Sequence, residues 1–179
     1  MPAEASPARV FFALWPGPAV RHALAQRAVQ ARAECGGRAI PAEKIHLTLV
    51  FVGAVERARI DALLSCAAEL ERTPFELDLS RLGYWRQSRI VWAGAATCPP
   101  ALRALVAVLS HKLEGLGLRF DARPYVPHVT LVRDARKAPQ SVSAQPLSWH
   151  CKELVLVESV AAARASRYDI LARWPLGCN

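Results

Sequence analysis

The sequence has no Cys-x-x-Cys pair, no long uninterrupted apolar run and fewer acidic than basic residues, 15 against 23. Each shortage excludes something. Cys35, Cys66, Cys98, Cys151 and Cys178 are odd in number and widely spaced. That argues against a zinc knuckle and a disulfide framework and for reduced thiols, so a cytoplasmic location is expected. The apolar stretch Val10 to Trp15 is stopped by Pro16-Gly17-Pro18. It is too short for a signal peptide or a membrane span, and neither is expected. Glu76 and Asp78 share a strand face, but no second acidic cluster accompanies them, so they read as solvated charges and not as a catalytic carboxylate pair.

What is present is a basic chain of 179 residues, 53% hydrophobic, with net charge +8 and pI near 9.8. That length and composition suit one domain with a sizeable core, here taken as 1–179 with 1–8 as a loose tail. The charge attracts anionic partners, nucleic acid first.

Two stretches organise the chain: His46-Leu47-Thr48-Leu49-Val50-Phe51 and His128-Val129-Thr130-Leu131-Val132-Arg133. Each follows a proline-containing turn, at Pro41 and Pro127, and each reads as a strand. Residues two apart on a strand share a face, so each His and its Thr point one way while the aliphatic residues between them point the other. With five His and four Thr in the chain, about 0.1 chance matches to His-x-Thr are expected. Two matches in similar apolar contexts indicate an internal duplication that faces two His-Thr pairs across a cleft.

Imidazole titrates near neutrality, so one ring can act as base while its partner acts as acid. A phosphodiester needs that division of labour: one ring accepts a proton from attacking water and the other donates to the departing alkoxide. Threonine hydroxyls can donate hydrogen bonds to the non-bridging oxygens. The scheme calls for no metal and no cofactor. Metal ligation wants three or four converging groups, and neither motif has a companion such as His-x-His or a nearby Asp.

The doubled motif resembles the 2H phosphoesterase superfamily, and the flanking segments resemble its RNA 2′,3′-cyclic phosphodiesterase branch, also called the 2′-5′ RNA ligase family. Those segments are Val10 to Leu14, Ile45 to Gly53, Ser88 to Gly94, Arg123 to Arg133, Tyr168 and Trp174-Pro175-Leu176. The resemblance implies metal-independent hydrolysis of RNA 2′,3′-cyclic phosphate ends to 2′-phosphomonoesters, with weak reversible 2′-5′ ligation beside it. It implies His46 as proton donor, His128 as proton acceptor and Thr48 and Thr130 as phosphate contacts. At the level of sequence the pseudo-symmetry leaves the two histidine roles interchangeable. RNA ends or small nucleotides bearing the cyclic phosphate would be the partners, and a monomer is expected. Two other readings stay open: the same chemistry on another small cyclic nucleotide, and a basic RNA-binding module without turnover.

Arg133 suits phosphate through its planar guanidinium. It stands five residues beyond His128, and strict alternation turns it away from that face unless the strand ends or bulges. Phe51 is a candidate for stacking on a terminal base, but it has the same odd offset from His46 and is expected rather against a helix. Tyr125 is a candidate for stacking on a terminal base, as is Trp15, although an aromatic at a strand end is more often core. His22, His111 and His150 lack partner spacing and read as surface or structural.

Helices are expected over Ala19 to Arg32, Glu56 to Leu70 and Leu102 to Leu116. Strands are expected at Val10 to Leu14, the two motifs, Phe75 to Leu79, Arg89 to Ala93, Leu147 to His150, Glu153 to Glu158 and Arg167 to Arg173. Phe75 to Leu79 and Arg89 to Ala93 suggest a hairpin about Gly83 to Gln87, and Lys137 to Gln145 suggests a mobile loop. The order gives an α+β fold of antiparallel sheet with helices outside. On the resemblance it forms two pseudo-symmetric lobes whose His-x-Thr strands face a central groove.

Overall fold

The strand β1 (Ala8–Leu14) lies in the middle of one half of the molecule and is buried at every position but Arg9. A computed structural model describes residues 6–118, 120, 124–140, 145–161 and 166–177. After β1 come α1 (Pro18–Cys35), β2 (Arg38–Ala39), a one-turn helix Ala42–Lys44, β3 (Leu47–Val55), a second one-turn helix Arg57–Arg59 and α2 (Ile60–Ala68). Then follow β4 (Phe75–Asp78), β5 (Arg81–Trp85), β6 (Ile90–Gly94), α3 (Pro100–Gly115), β7 (His128–Arg133), β8 (Ser148–Cys151), β9 (Glu153–Val160) and β10 (Arg167–Pro175).

The main sheet is antiparallel in the order β10-β9-β1-β3-β7-β6-β5, with β2 on β7. Its two halves meet at one pair of positions, Leu47 opposite Val129, both fully buried. Beyond that pair the edge of β7 is taken by β2, with Arg38 opposite Arg133. The motif strands therefore touch at their histidine ends and then part, and the groove opens between them.

The helices cover one side. Leu24, Ala28 and Ala31 of α1, Leu63 of α2 and Leu105, Leu109 and Leu113 of α3 pack with Phe12, Leu14, Leu47 and Leu131 in the main core. Each such Leu or Phe side chain contributes roughly 1.5–3 kcal/mol by leaving water. Alternation sends Phe11 and Ala13 to the other face, where they form a small separate cluster with Val155 and Val157, flanked by Trp15, Tyr168 and Ile170. That cluster underlies the groove.

The structure departs from the expected hairpin. Phe75–Asp78 pairs with Ser148–Cys151 in a separate two-stranded sheet, and the segment read as a turn supplies β5, which pairs with β6. Strict alternation identified β4 as a half-covered strand but carried no information about its partner. The first motif strand continues past Gly53, which adopts φ +88°, to Val55. Of the expected tail, residues 1–5 lie outside the described residues and Ala8 already belongs to β1. The expected loop at 137–145 falls partly outside them, at 141–144. No helix among the described residues is long and apolar enough to cross a membrane.

Candidate active site

Each motif histidine is held by the same local device. Pro41 starts the one-turn helix whose last residue, Lys44, presents its carbonyl to His46 Nδ1 at 2.7 Å. The loop before β7 presents the Val126 carbonyl to His128 Nδ1 at 2.8 Å. A carbonyl can only accept, so in both rings the proton sits on Nδ1 and Nε2 is left for chemistry. His46 Nε2 lies 3.0 Å from the Thr48 hydroxyl, which donates to it. His128 Nε2 has no hydrogen-bond partner among the described residues.

The surroundings of the two rings differ. His46 is stacked parallel to Trp15 at 5.6 Å and packs against Phe11 at 4.9 Å and Tyr168 at 5.4 Å. This aromatic enclosure lowers the His46 pKa to about 4, because burial disfavours the imidazolium; Arg133 and His128 push the same way and the Lys44 carbonyl opposes them. His128 has the edge of one aromatic neighbour, Trp85, at 4.5 Å. Its pKa is also lowered by burial, with the Val126 carbonyl opposing and Arg133 reinforcing. Burial thus favours the neutral form of both rings.

His46, Thr48, His128, Thr130 and Arg133 all line one groove of about 740 Å³. Among the described residues the lining also carries Arg9, Arg38 and Lys44 and no Asp or Glu. Cations without carboxylates make a binding place for an anion. Among the described residues, no three His, Cys, Asp or Glu side chains converge as metal ligands do.

Arg133 reaches the groove because β7 bulges. Opposite β6, Thr130 faces Trp92 and Val132 faces Val91, so Leu131 is the extra residue. Leu131 and Val132 are consecutively buried, and Arg133 returns to the face of His128 and Thr130. The same irregularity occurs in β3, where Ala13 faces Thr48 and Phe12 faces Val50, leaving Leu49 extra. It turns Phe51 into the groove at 45% exposure. The expectation that Phe51 packs against a helix is thus corrected. The signal was present in both motifs as two adjacent aliphatic residues, Leu49-Val50 and Leu131-Val132, which interrupt the alternation.

Other expectations fall outside the groove. Tyr125 is half-buried and donates its hydroxyl to the Thr48 carbonyl at 3.1 Å, tying the two motifs together. Trp15 packs on His46 and offers no free platform. His22, His111 and His150 are exposed; His150 pairs with Glu76 at 2.6 Å. Neither Trp85 nor Tyr168 is given a site role by the sequence, because aromatics at strand positions carry no local mark of which histidine they will touch.

A family model described as the 2′-5′ RNA ligase superfamily matches residues 19–163. The chain belongs to that superfamily. Within the superfamily it is 34% identical over 173 residues to the RNA 2′,3′-cyclic phosphodiesterase of Escherichia coli, covering 95% of this chain and 97% of that one. It is 28% identical over 178 residues to the protein of the same name from Thermus thermophilus, covering 94% and 90%. Among solved structures, E. coli LigT complexed with 3′-AMP superposes with a TM-score of 0.86 at 32% identity, covering 95% of this chain and 98% of LigT.

Proposed function

We infer that this protein is an RNA 2′,3′-cyclic phosphodiesterase that hydrolyses cyclic phosphate ends to 2′-phosphomonoesters by paired-histidine acid–base catalysis. The observation that carries the reading is the matched pair of imidazoles, each with Nδ1 fixed by a carbonyl and Nε2 left for chemistry, in a groove lined by cations and threonines without a carboxylate. The relatives named above support the substrate class.

His128, whose Nε2 is open, takes a proton from water as its oxygen attacks phosphorus. The bond from phosphorus to the 3′ oxygen breaks, and His46 supplies the proton to that oxygen, leaving the phosphate on the 2′ oxygen. His46 must carry a proton to do this, and the bound phosphate is what raises its pKa, since a nearby negative charge favours the imidazolium. Thr48 and Thr130 donate to the non-bridging oxygens as charge develops there, and Arg133 neutralises the phosphate. With a 5′-hydroxyl in place of water as the nucleophile, the same forward steps would join ends through a 2′-5′ linkage, and run backwards they would release the 5′-hydroxyl again. The chain acts as one bilobal unit and as a monomer, in the cytoplasm, and these steps call on no metal or cofactor.

The test is to incubate EDTA-treated protein with an oligonucleotide ending in a 2′,3′-cyclic phosphate. A 2′-phosphate product, absent with His46→Ala, is expected. A 3′-phosphate product would overturn the regiochemistry, and loss of activity on chelation would overturn metal independence.

A further inference from the structure

The groove carries more positive charge than a single cyclic phosphate needs. Arg38 is paired with Asp134 at 2.7 Å, but Arg9 and Arg133 have no carboxylate partner among the described residues. Arg133 acts on the central phosphate position, since its charge is felt by both motif imidazoles. Arg9 is felt by neither.

Its position explains why. On β1 the groove face carries Phe11, which touches His46, and then Arg9, two residues or roughly 7 Å farther along the strand. The Arg9 guanidinium lies 4.9 Å from the centre of the Phe51 ring. Phe51 is itself the one large hydrophobic residue strongly exposed in the groove among the described residues; the comparably exposed Val29, Val108 and Val126 are outside its lining. A half-exposed aromatic ring, backed by Phe11 at 6.5 Å and carrying an unpaired guanidinium over it, suits a nucleobase and a phosphate together.

With the terminal base on Phe51, a stacking candidate already at the level of sequence, we propose that Arg9 pairs with the phosphodiester on the 5′ side of that nucleotide. The site thereby selects the end of an RNA strand over a free cyclic mononucleotide. The proposal rests on the cyclic phosphodiesterase reading and adds the direction in which the strand leaves the catalytic centre. It leaves past Phe51 on the β1–β3 side, away from Arg133.

The experiment compares two dinucleotides ending in the same 2′,3′-cyclic phosphate, one joined by a natural phosphodiester and one by an uncharged methylphosphonate. Both keep both bases, so the comparison isolates the charge of the link. The native protein should prefer the charged dinucleotide in kcat/KM by about tenfold at low salt. With Arg9→Ala that ratio should collapse toward one, and Arg9→Lys should keep part of it. The log–log salt dependence for the charged substrate should flatten by about 0.7 in Arg9→Ala, the loss of one single-strand phosphate contact. A native ratio near one, or a ratio unchanged in Arg9→Ala, would overturn the subsite while leaving the hydrolytic function standing. Turnover of neither dinucleotide by folded protein would overturn the reading on which the subsite rests.

Discussion

Phe51 and Arg133 occupy equivalent places in the two halves of the fold. Each stands five residues beyond its motif histidine, and each is turned into the groove by an extra residue three beyond that histidine, Leu49 in β3 and Leu131 in β7. The duplicated strands thus agree in His, Thr and bulge and differ at the next groove position, where one half offers an aromatic ring and the other a guanidinium. A symmetric pair of histidines gives no direction to a substrate. This difference does.

Replacing either motif histidine with alanine should lower kcat by orders of magnitude while circular dichroism and thermal unfolding show a folded protein. Thr48→Ala and Thr130→Ala should each cost about 10- to 1,000-fold, the range for lost donors to developing charge. A double histidine variant with native activity would remove the mechanism.

The pH dependence should be bell-shaped in both kcat and kcat/KM, since one ring must be charged and the other neutral. In the free protein both imidazoles are pushed down, His46 to about 4. A bound phosphate pushes both up. The limbs of kcat, which report the complex, should therefore lie at higher pH than those of kcat/KM, which report the free protein. Coincident limbs would show that substrate charge does not reach the rings.

Arg133→Ala should lower kcat/KM by about tenfold or more, as expected for a charge-assisted contact. It should also shift the acid limb of kcat/KM to higher pH, because the cation that depresses both histidines is gone. Arg133→Lys restores charge without the planar fork and should return the pH profile more fully than the rate. A rate loss with no movement of the acid limb would place Arg133 outside electrostatic reach of the rings.

Gly83→Ala should destabilise the protein by about 1–3 kcal/mol. A methyl group there would come within 2.0 Å of the Trp92 indole, which packs at 5.4 Å on Trp85, the aromatic neighbour of His128. Activity should fall with stability, since displacing the indole moves the edge that bounds His128. Denaturant unfolding alongside kcat checks both, and a variant of native stability would show that the indole moves freely.

Much of this protein was determined by sequence alone. The His-x-Thr repeat fixed the chemistry, because residue type and spacing of two on a strand suffice to place an imidazole and a hydroxyl on one face. Helices and most strands followed from local periodicity, and the charge balance pointed to an anionic partner. The tertiary structure decided what periodicity cannot carry. Whether Phe75–Asp78 pairs with its neighbour or with Ser148–Cys151 depends on hydrogen bonds between segments far apart in the chain. Strand parity fails at Leu49 and Leu131 because the ladders with β1 and β6 each accommodate an extra residue there, and only the paired strands define where that occurs. The enclosure that distinguishes His46 from His128 arises in the same way, from Phe11 of β1, Trp15 in the turn after it and Tyr168 of β10. Pattern within a strand is local and legible; register between strands is a property of the folded sheet.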